Sequence, residues 1–490
     1  MTADVIIVGA GPVGLLLGAE LRLASVSVTI VERLNAPTGL SKALALVGRA
    51  QDYLDMRGLL GQFRERSPAL PFSPASLLHF SMLPLDISKT DLQPKGVFVP
   101  QATTEAILLE HALSLGVQVR TGVEVTGLSQ TSDQVTLRAL SGEELSARYV
   151  VACDGAHSTI RNLVGIPFPT TKPTALLRLG DVKLAEGEVA PRFLVPLGDG
   201  YMRMITNEPL TEGFDRTTPM TLDELRDSGR RAYGIDIPLM EARWLSRFTN
   251  ASGMAEAYRQ GRVFLAGDAA HIHLPAGGPG LLTGFGDALN LGFKLGAVVR
   301  GEADEALLDT YEAERRPVAR GVLVHTRAQG VVGEKTETGM AIREVMSSLI
   351  SAPEVIKRLL SRLGQLDTRY VNAGDAEHPL VGSFAPEDTL KTSAGARRIV
   401  ELLRDGRGLW LGPKPGRELR DLLGKYAGRL RVEVTGRGFQ EICGPEALLV
   451  RPDGHVAWAS NSASRVTPEL HSALHRWFGR GSDCRRALPD

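Results

Sequence analysis

Continuous apolar runs and helical patterns alternate at the start of the chain. The run Val5–Val8 is β-branched and has no polar position, which predicts a strand buried on both faces of a parallel sheet. Apolar residues then follow helical spacing over Leu15–Leu21, and a second apolar run covers Val26–Val31. This order of strand, helix and strand predicts a βαβ unit of the Rossmann-like type.

Two later apolar runs end in a turn that pairs aspartate with glycine. The run 148–152 leads to Asp154-Gly155, before a helical stretch that contains Arg161. The run 262–266 leads to Gly267-Asp268, and a Gly/Pro-rich segment then precedes a helix from Leu281 onward. Such turns offer an acid to a sugar hydroxyl and a helix N-terminus to an anion.

Alternating apolar and polar positions replace the continuous runs between residues 170 and 260. This alternation predicts an antiparallel sheet, which we expect to form, together with residues 71–99, a substrate-binding domain above the nucleotide site. The predicted strands cover residues 175–179, 192–196 and 201–205. For Trp244 and Phe248, which follow in the same region, core packing is the favoured interpretation of both rings.

The far end of the chain predicts a separate unit. Apolar residues at helical spacing from Val345 to Leu366 indicate helices that pack between domains. Beyond Pro386, apolar runs at 408–411, 430–434 and 447–458 predict strands, the last one folded back at an Arg-Pro-Asp-Gly hairpin turn.

Length and composition indicate a folded protein of several domains. A single core usually stops growing near ~250–300 residues, so the 490 residues predict two or three domains. The 43% hydrophobic share with 23% charged residues is that of a globular protein, not of a disordered or fibrous chain. Basic and acidic residues are equal at 56 each, so no overall field favours nucleic acid or a membrane surface as a partner.

Cysteine usage and the N-terminus suggest a cytoplasmic protein. Cys153, Cys443 and Cys484 form no C-x-x-C pair, and we interpret them as reduced thiols. The first apolar run is far shorter than the ~20 residues that span a bilayer, and no basic segment precedes it. We therefore expect no membrane segment, and a homodimer is left open.

The first strand ends in the pattern G-x-G-x-x-G. Gly9 permits a tight turn, Gly11 lets backbone approach a pyrophosphate, and Gly14 lets the helix pack on the strand. The pyrophosphate would lie at the N-terminus of the following helix, where free N–H groups favour anions. Glu32 follows the last glycine by 18 residues, where an acid binds a ribose hydroxyl. FAD and NAD both use this unit, so the choice stays open at this point.

With three ordered motifs at Gly9, Asp154 and Gly267, the chain resembles the class A flavoprotein monooxygenases, the aromatic-hydroxylase family that includes p-hydroxybenzoate hydroxylase. Within it, the chain is most similar to the hydroxylases that modify aromatic polyketides and rifamycin-type antibiotics. The resemblance spans nearly the whole chain. It implies FAD as the bound cofactor and NADPH or NADH as the reductant.

The resemblance also implies roles for individual residues. Glu32, with Arg33 beside it, and the three motif glycines would hold the ADP half of FAD. Arg49 and Gln101 would lie beside the flavin. The Asp154 motif would serve FAD and NAD(P)H together, Asp268 would bind the ribityl chain or its phosphate, and N–H groups from Gly278 to Leu281 would face the pyrimidine edge of the ring. The implied cofactor residues are Gly9, Gly11, Pro12, Gly14, Glu32, Arg33, Arg49, Gln101, Asp154, Gly155, Gly267, Asp268, Pro275, Gly278, Gly280, Leu281 and Leu282.

Two positions depart from the family pattern. Family members read G-G-Q-G-(Met or Leu)-Asn where this chain has Pro279 and Leu282, so both amide side chains are lost and the proline removes one possible N–H donor. Residues 311–317 follow the family's Y-x-x-E-R-x-P pattern, which we interpret as a structural joint that ends a helix. No side chain identifies itself as a catalytic base, and His157, His271 and His273 lack the spacing of a metal site.

The implied fold is mixed α/β and α+β, with a Rossmann-like FAD domain of the glutathione reductase type, an antiparallel-sheet substrate domain and a thioredoxin-like C-terminal domain. Lacking C-x-x-C, the last should be redox-inactive and serve stability or assembly. The expected boundaries are 1–70, 100–168 and 260–330 for the FAD domain, 71–99 and 169–259 for the substrate domain, 331–385 for a helical connection and 386–490 for the C-terminal domain.

The expected activity is hydroxylation of an aromatic, antibiotic-like substrate by O₂ and NAD(P)H through a flavin C4a-hydroperoxide. Baeyer–Villiger insertion on the same scaffold is an alternative, and the lost amides at 279 and 282 suggest another, a flavoprotein that binds aromatic ligands without turnover. The chain has no second G-x-G-x-x-G, so the reductant should bind transiently at the FAD domain.

Overall fold

A computed structural model describes residues 3–68, 79–92, 96–188, 190–191, 193–198, 200–210, 218–370, 378–387, 389–392, 395–435, 443–462 and 466–481. Cys484, part of the 71–99 segment and some predicted loop positions lie outside these residues. Within them, the larger sheets are one of eight strands and two of four strands. No helix of the described part is both long and apolar enough to cross a bilayer.

The first part of the chain builds most of the eight-stranded sheet and the helices on it. Its elements are β1 (Ala3–Val8), α1 (Pro12–Leu23), β2 (Val28–Val31), β3 (Ala45–Val47), α2 (Arg49–Asp55), α3 (Leu60–Glu65), β4 (His79–Phe80), β5 (Leu83–Pro84), β6 (Gly96–Phe98), α4 (Gln101–Ser114), β7 (Gln118–Arg120), β8 (Val125–Gln130), β9 (Val135–Ala139), β10 (Glu144–Ala152) and α5 (Thr159–Leu163). The strand, helix and strand predicted at the N-terminus are present.

The middle part contains the second sheet, the last strands of the first sheet, and a run of helices. Its elements are β11 (Ala175–Leu184), β12 (Val195–Gly198), β13 (Tyr201–Pro209), α6 (Leu222–Tyr233), β14 (Leu239–Thr249), β15 (Gly253–Met254), β16 (Arg259–Gln260), β17 (Val263–Leu265), β18 (His271–Ile272), α7 (Gly280–Val299), α8 (Ala306–Val332), α9 (Glu337–Leu349) and α10 (Pro353–Leu363).

The eight-stranded sheet explains why the three motifs can act together. Its main order is β16-β17-β10-β1-β2-β7, and β1, β2, β7, β10 and β17 run parallel to their neighbours among them. The turns at Gly9, Asp154 and Gly267 follow β1, β10 and β17 in turn. Because carboxyl ends of adjacent parallel strands lie at one edge of a sheet, the three turns meet there.

The second sheet has the order β12-β13-β11-β14, all antiparallel. Helix α6 covers one face, where Val182, Met204 and Leu225 form a buried cluster. The pairing of Asp181 with Trp244 and with Arg203 puts these three residues on the opposite face. Along the chain, the strand expected from residue 192 begins only at Val195, because Phe193 and Leu194 form a turn.

None of the described strands of residues 79–98 joins the second sheet, and their expected place in the substrate-binding domain stays a prediction. β6 pairs with β3, and the β4–β5 hairpin shares a buried cluster with the long helices, to which Phe80, Leu83, Ile356 and Leu360 belong. The apolar residues of the hairpin thus pack against helices α8 to α10.

Helix α8 corrects the expectation that the Y-x-x-E-R-x-P pattern ends a helix. The helix continues through Pro317 to Val332, because an internal proline removes only the bond to the carbonyl four residues back, while Glu314, Arg315 and Val322 on either side are buried. Beyond it, the packing expected of the 345–366 region holds for Ile356 and Leu360 but not for Val345, which is 58% exposed.

The C-terminal unit is a four-stranded sheet with helices. Its order is β22-β21-β23-β24, in which β21 and β22 are parallel and the other pairs are antiparallel. The strands and hairpin turn predicted here are present. The elements are β19 (Thr389–Thr392), β20 (Gly395–Arg398), β21 (Gly408–Gly412), α11 (Arg417–Gly424), β22 (Leu430–Val434), β23 (Ala447–Val450), β24 (Val456–Ser460) and α12 (Pro468–Phe478).

Candidate functional site

The glycine-rich turn after β1 contains two glycines that the packing of the protein requires, because a Cβ there would clash. At the third glycine a Cβ would fit. A Cβ at Gly9 would lie 2.4 Å from Cys153 O, and one at Gly14 would lie 2.1 Å from Gly9 O. A Cβ at Gly11 would meet nothing within 4 Å. The open space at Gly11, beside the N-terminus of α1 and its Pro12, is where a ligand's pyrophosphate can approach the backbone.

Glu32 is held next to this turn. Its Oε2 accepts a hydrogen bond from Ala10 N–H at 2.9 Å, and its Oε1 accepts one from Leu34 N–H at 3.0 Å. Each carboxylate oxygen keeps capacity for a further donor. The neighbouring Arg33 is exposed.

The second turn carries a half-buried acid, Asp154, one of whose oxygens is a buried and unused acceptor. Asp154 Oδ2 accepts from Ile160 N–H at 3.2 Å, whereas its Oδ1 is buried and has no hydrogen-bond partner. Burial raises the pKa of Asp154, and hydrogen bonds from Ser158 and Ile160 oppose the rise. Gly155 next to it has φ +83°, with nothing within 4 Å of the Cβ position. A hydroxyl or N–H donor of a ligand would satisfy Oδ1.

Helix α5 ties the second turn to the third. Ser158 caps the helix through Arg161 N–H, a structural use of the serine. The guanidinium of Arg161 donates to Ala269 O at 2.9 Å and to Ala156 O at 3.0 Å. The two acid-glycine turns are therefore fixed relative to each other.

Asp287 organises the third turn from within α7. Gly267, at φ +61°, donates its N–H to Asp287 Oδ2 at 3.0 Å, and His271 Nε2 lies 2.8 Å from the same oxygen. Arg315 Nε donates to Asp287 Oδ1 at 2.8 Å. Burial disfavours the charged carboxylate, but the charges of Arg315 and His271 outweigh it and lower the pKa of Asp287. Asp268 itself points to the exposed side of this turn.

The N-terminus of α7 supplies backbone donors. Thr283 N–H is bonded to Pro279 O at 2.9 Å, so the N–H groups of Gly280, Leu281 and Leu282 lie in the first turn, where no helical carbonyl is available to them. The side chain of Leu282 is only 1% exposed and packs in the core, so this residue can reach a ligand through its backbone alone. Pro275 and Gly278 are exposed, and Gly278 has φ +68°.

Two of the expected flavin neighbours have protein partners of their own. Arg49 Nη1 donates to Asp52 at 2.9 Å, and the guanidinium lies 4.2 Å from the centre of the Phe384 ring, while its Nε is buried without a partner. Gln101 begins α4, accepts from Ala43 N–H at 3.2 Å and donates to Glu105 at 2.8 Å. Their contact with flavin stays a prediction.

The face of the second sheet opposite α6 contacts the segment that Gln101 binds. The buried Arg203 pairs with Asp181 at 2.8 Å and donates to the carbonyls of Ser41 and Lys42, which precede the Ala43 that Gln101 binds. Trp244 is on this face, and its indole lies 5.3 Å from the Arg203 guanidinium. Trp244 and Phe248 are both half-buried and belong to none of the buried hydrophobic clusters of the described residues, so core packing does not account for them.

Sequence reasoning missed Asp287 as an organising residue and assigned Arg315 only to a joint. The available signal was the single carboxylate of a mostly apolar helix, since a buried acid requires a paired cation. Taken together, the open space at Gly11, the unpaired Oδ1 of Asp154 and the α7 N-terminus fit a dinucleotide that carries a flavin. These features define a flavoprotein of mixed α/β fold.

Comparison with known proteins gives the family. Residues 2–326 match the family described as FAD binding domain, and residues 378–481 match aromatic-ring hydroxylase, C-terminal. The chain belongs to the FAD-dependent aromatic hydroxylases.

Relatives match over nearly the whole chain. The 12-dehydrotetracycline 5-monooxygenase/anhydrotetracycline 6-monooxygenase of Streptomyces rimosus is 40% identical, over 98% of this chain and 99% of that protein. The rifampicin monooxygenase of Streptomyces venezuelae is 40% identical over 97% and 98%. The dialkyldecalin synthase of Streptomyces rugosporus is 35% identical over 98% and 99%. The solved structure of anhydrotetracycline hydroxylase from Streptomyces rimosus superposes with a TM-score of 0.87 at 40% identity, covering 98% of this chain and all of that one, 100%.

Proposed function

We propose that this chain is an FAD-dependent monooxygenase that takes electrons from NADPH or NADH and uses O₂ to hydroxylate an aromatic ring of a polycyclic, antibiotic-like substrate. The observation that carries the proposal is the meeting of the three glycine-containing turns at one edge of the eight-stranded sheet. The second sheet adds half-buried aromatic side chains on the face from which Arg203 binds the carbonyls of Ser41 and Lys42. The tetracycline-type and rifampicin names of the relatives support the substrate class.

The residues on the first turn would hold the ADP half of FAD. Gly11 and the first turn of α1 would receive the pyrophosphate, and Glu32, already oriented by Ala10 N–H, would accept from the ribose. Asp154 Oδ1 and Asp268 would accept from the flavin half or its ribityl chain, and the exposed Pro275 and Gly278 would border the ring. Bound FAD supplies the redox chemistry, because it accepts a hydride equivalent and activates O₂.

The first turn of α7 would stabilise charge. Its free N–H groups, at the positive end of a 20-residue helix, would face the pyrimidine edge where negative charge develops on reduction. Pro279 contributes no N–H, so Gly280 and Leu281 carry this role. Arg315 positions the turn by donating Nη2 to Thr283 O at 2.9 Å.

The substrate would lie against the face of the second sheet opposite α6. Trp244 and Phe248 offer aromatic surfaces for a planar polycycle, and Ser246 between them offers a hydroxyl. The buried pair of Arg203 with Asp181 would hold this sheet against the flavin side and keep water out.

The domain assignment is also a proposal. Family boundaries support an FAD domain within residues 2–326 and a distinct C-terminal unit, and the sheet order β22-β21-β23-β24, with one parallel pair, supports a thioredoxin-like fold for that unit. Residues 169–259 would form the substrate domain. The packing of the β4–β5 hairpin favours grouping it with the helical connection.

The test is anaerobic reduction of the purified holoenzyme by NADPH or NADH, with and without a panel of polycyclic phenols and rifamycins. Substrate-stimulated bleaching of the flavin band, followed by hydroxylated product when O₂ is admitted, is the expected result. A protein that retains FAD and binds the aromatic compound but is not reduced would contradict it. Product ring connectivity separates hydroxylation from Baeyer–Villiger insertion.

A second candidate is a flavoprotein that binds or converts its ligand without redox turnover. Pro279 and Leu282 favour it, because both remove polar groups next to the proposed position of the ring. A relative named dialkyldecalin synthase, 35% identical, adds support. This candidate predicts ligand binding with no consumption of NADPH or O₂.

A further inference from the structure

The hairpin turn between β23 and β24 is buried within the protein, although such a turn is normally at the surface. Arg451, Asp453 and His455 are each 2% exposed. Arg451 donates two bonds to Glu314 of α8, at 2.6 and 2.9 Å, and Asp453 accepts from Asn290 of α7 at 3.2 Å. A turn of the C-terminal unit thus enters the helices that carry the flavin-side residues.

Backbone contacts lock this turn in place. Arg57 donates to Pro452 O at 3.1 Å, and the same guanidinium makes a fork with the buried Glu20 of α1. Gly454 has φ +85°, and a Cβ there would lie 2.3 Å from the Phe384 ring. These contacts fix the position of the turn relative to α1 and Phe384.

A continuous path of contacts leads from the turn to the flavin site. The His455 ring lies on the Tyr370 ring, with centroids 4.1 Å apart and planes at 30°. Tyr370 Oη accepts from Arg315 Nη1 at 2.8 Å. Two other N–H groups of Arg315 donate to Asp287 Oδ1 at 2.8 Å and to Thr283 O at 2.9 Å.

At the flavin-site end of this path, Arg315 bonds to residues that belong to two different elements of the site. Asp287 holds Gly267 N–H, and so the turn that presents Asp268. Thr283 belongs to the first turn of α7, whose free N–H groups are assigned to the flavin ring. A single buried guanidinium bonds to both elements, and the C-terminal unit reaches it through the His455 ring on Tyr370.

We infer that the Arg451–His455 turn is a positioning element of the flavin site, which acts through Tyr370 and Arg315 to fix Gly267 relative to the first turn of α7. This gives the C-terminal unit a role in flavin affinity and redox potential, beyond stability or assembly. Tyr370 and Arg451 are positioning residues, since neither touches a reacting atom.

The decisive variant is Tyr370→Phe in the holoenzyme. It removes the hydroxyl that accepts from Arg315 and keeps the ring on His455. The matched control is Tyr426→Phe, because Tyr426 is similarly inaccessible, at 5% exposed against 4% for Tyr370, and lies outside the path. The readouts are the rate of FAD release, followed by the rise in flavin fluorescence, the visible spectrum, and the midpoint potential of the bound flavin.

Tyr370→Phe is expected to speed FAD release about tenfold, the loss typical of one hydrogen bond from a charged donor, and to shift the flavin band and potential. Tyr426→Phe should leave all three readouts unchanged. Arg451→Lys keeps the charge but loses the fork, and should move the readouts in the same direction. If both residues act along one path, the double variant Tyr370→Phe/Arg451→Lys will show less than the sum of the two single effects.

Two results would overturn the inference. One is a Tyr370→Phe holoenzyme with the release rate, spectrum and potential of the unaltered protein. The other is a set of variants, control included, in which the release rate simply follows the loss of thermal stability. Should Arg451→Lys fail to fold, the comparison of the two tyrosine variants still decides.

Discussion

Replacing Gly11 with alanine should separate cofactor binding from folding. Gly11 has φ −72° and ψ 177°, an extended conformation open to any L-residue, and a Cβ there would meet no atom within 4 Å. Alanine in place of glycine stabilises by about 0.4–1 kcal/mol through the unfolded chain, and its weaker capping of α1 costs a similar amount. The free energy of unfolding of the apoprotein should therefore change by less than about 1 kcal/mol.

The same methyl group would occupy the space assigned to the pyrophosphate. We expect FAD affinity to fall by about 100-fold or more, equivalent to roughly 3 kcal/mol. Gly14→Ala is the contrasting variant, since its Cβ would lie 2.1 Å from Gly9 O and the backbone would have to move. That variant should lose about 1–3 kcal/mol or more of folding stability.

The assay combines urea unfolding of the apoproteins with titration of each by FAD, followed by quenching of flavin fluorescence. Gly11→Ala should keep the unfolding midpoint and lose the titration. A Gly11→Ala protein that binds FAD as tightly as the unaltered chain would refute the placement of the pyrophosphate. Loss of stability equal to that of Gly14→Ala would refute the claim that Gly11 serves only the ligand.

Other changes have equally definite outcomes. Asp154→Asn keeps an acceptor for Ile160 N–H but removes the charge beside the ligand, and FAD affinity measured by equilibrium dialysis should fall about tenfold or more at nearly unchanged stability. Arg315→Met leaves the buried Asp287 without its strongest partner and should cost about 3–5 kcal/mol in urea unfolding, and an unchanged midpoint would contradict the network. Burial opposes ionisation of Glu314, but Arg451 and Lys294 hold its pKa far below the usual range. Since the folded pKa lies below the unfolded one, the stability it contributes is complete above about pH 4.5 and is lost as pH falls, and Glu314→Gln should flatten the fall of the urea midpoint between about pH 5 and pH 3. Trp244→Ala should raise KM for the aromatic substrate and leave FAD content unaltered, whereas loss of FAD would place the indole elsewhere than the substrate face.

Local patterns sufficed to predict the parts of the site that a few consecutive residues build. The strand that ends at Gly9 and the acid-glycine turns at Asp154 and Gly267 depend on apolar runs and on the backbone freedom of glycine, both of which are visible in the sequence. That these turns meet follows from parallel strand order, which the βαβ pattern predicts for β1 and β2 but not for β10 and β17.

Contacts between residues far apart in the chain could not be predicted from the sequence. Arg451 and Glu314 are 137 positions apart, and nothing in the Arg-Pro-Asp-Gly hairpin pattern distinguishes a buried turn from a surface one. The continuation of α8 through Pro317 has the same origin, because burial of Glu314 and Arg315 outweighs the local preference of proline to end a helix. The position of the β4–β5 hairpin likewise depends on tertiary packing against α8–α10, which its own sequence does not specify.

The fate of the oxygen atoms of O₂ distinguishes an aromatic hydroxylase from a flavoprotein without redox turnover. The holoenzyme, NADPH and a substrate that stimulates flavin reduction would be incubated under ¹⁸O₂, and the product analysed by mass spectrometry and by its ring connectivity. One ¹⁸O atom in a new phenolic hydroxyl, with the ring intact, is the predicted result. A product without ¹⁸O, or one formed equally well in the absence of O₂, would contradict the assignment as an aromatic hydroxylase.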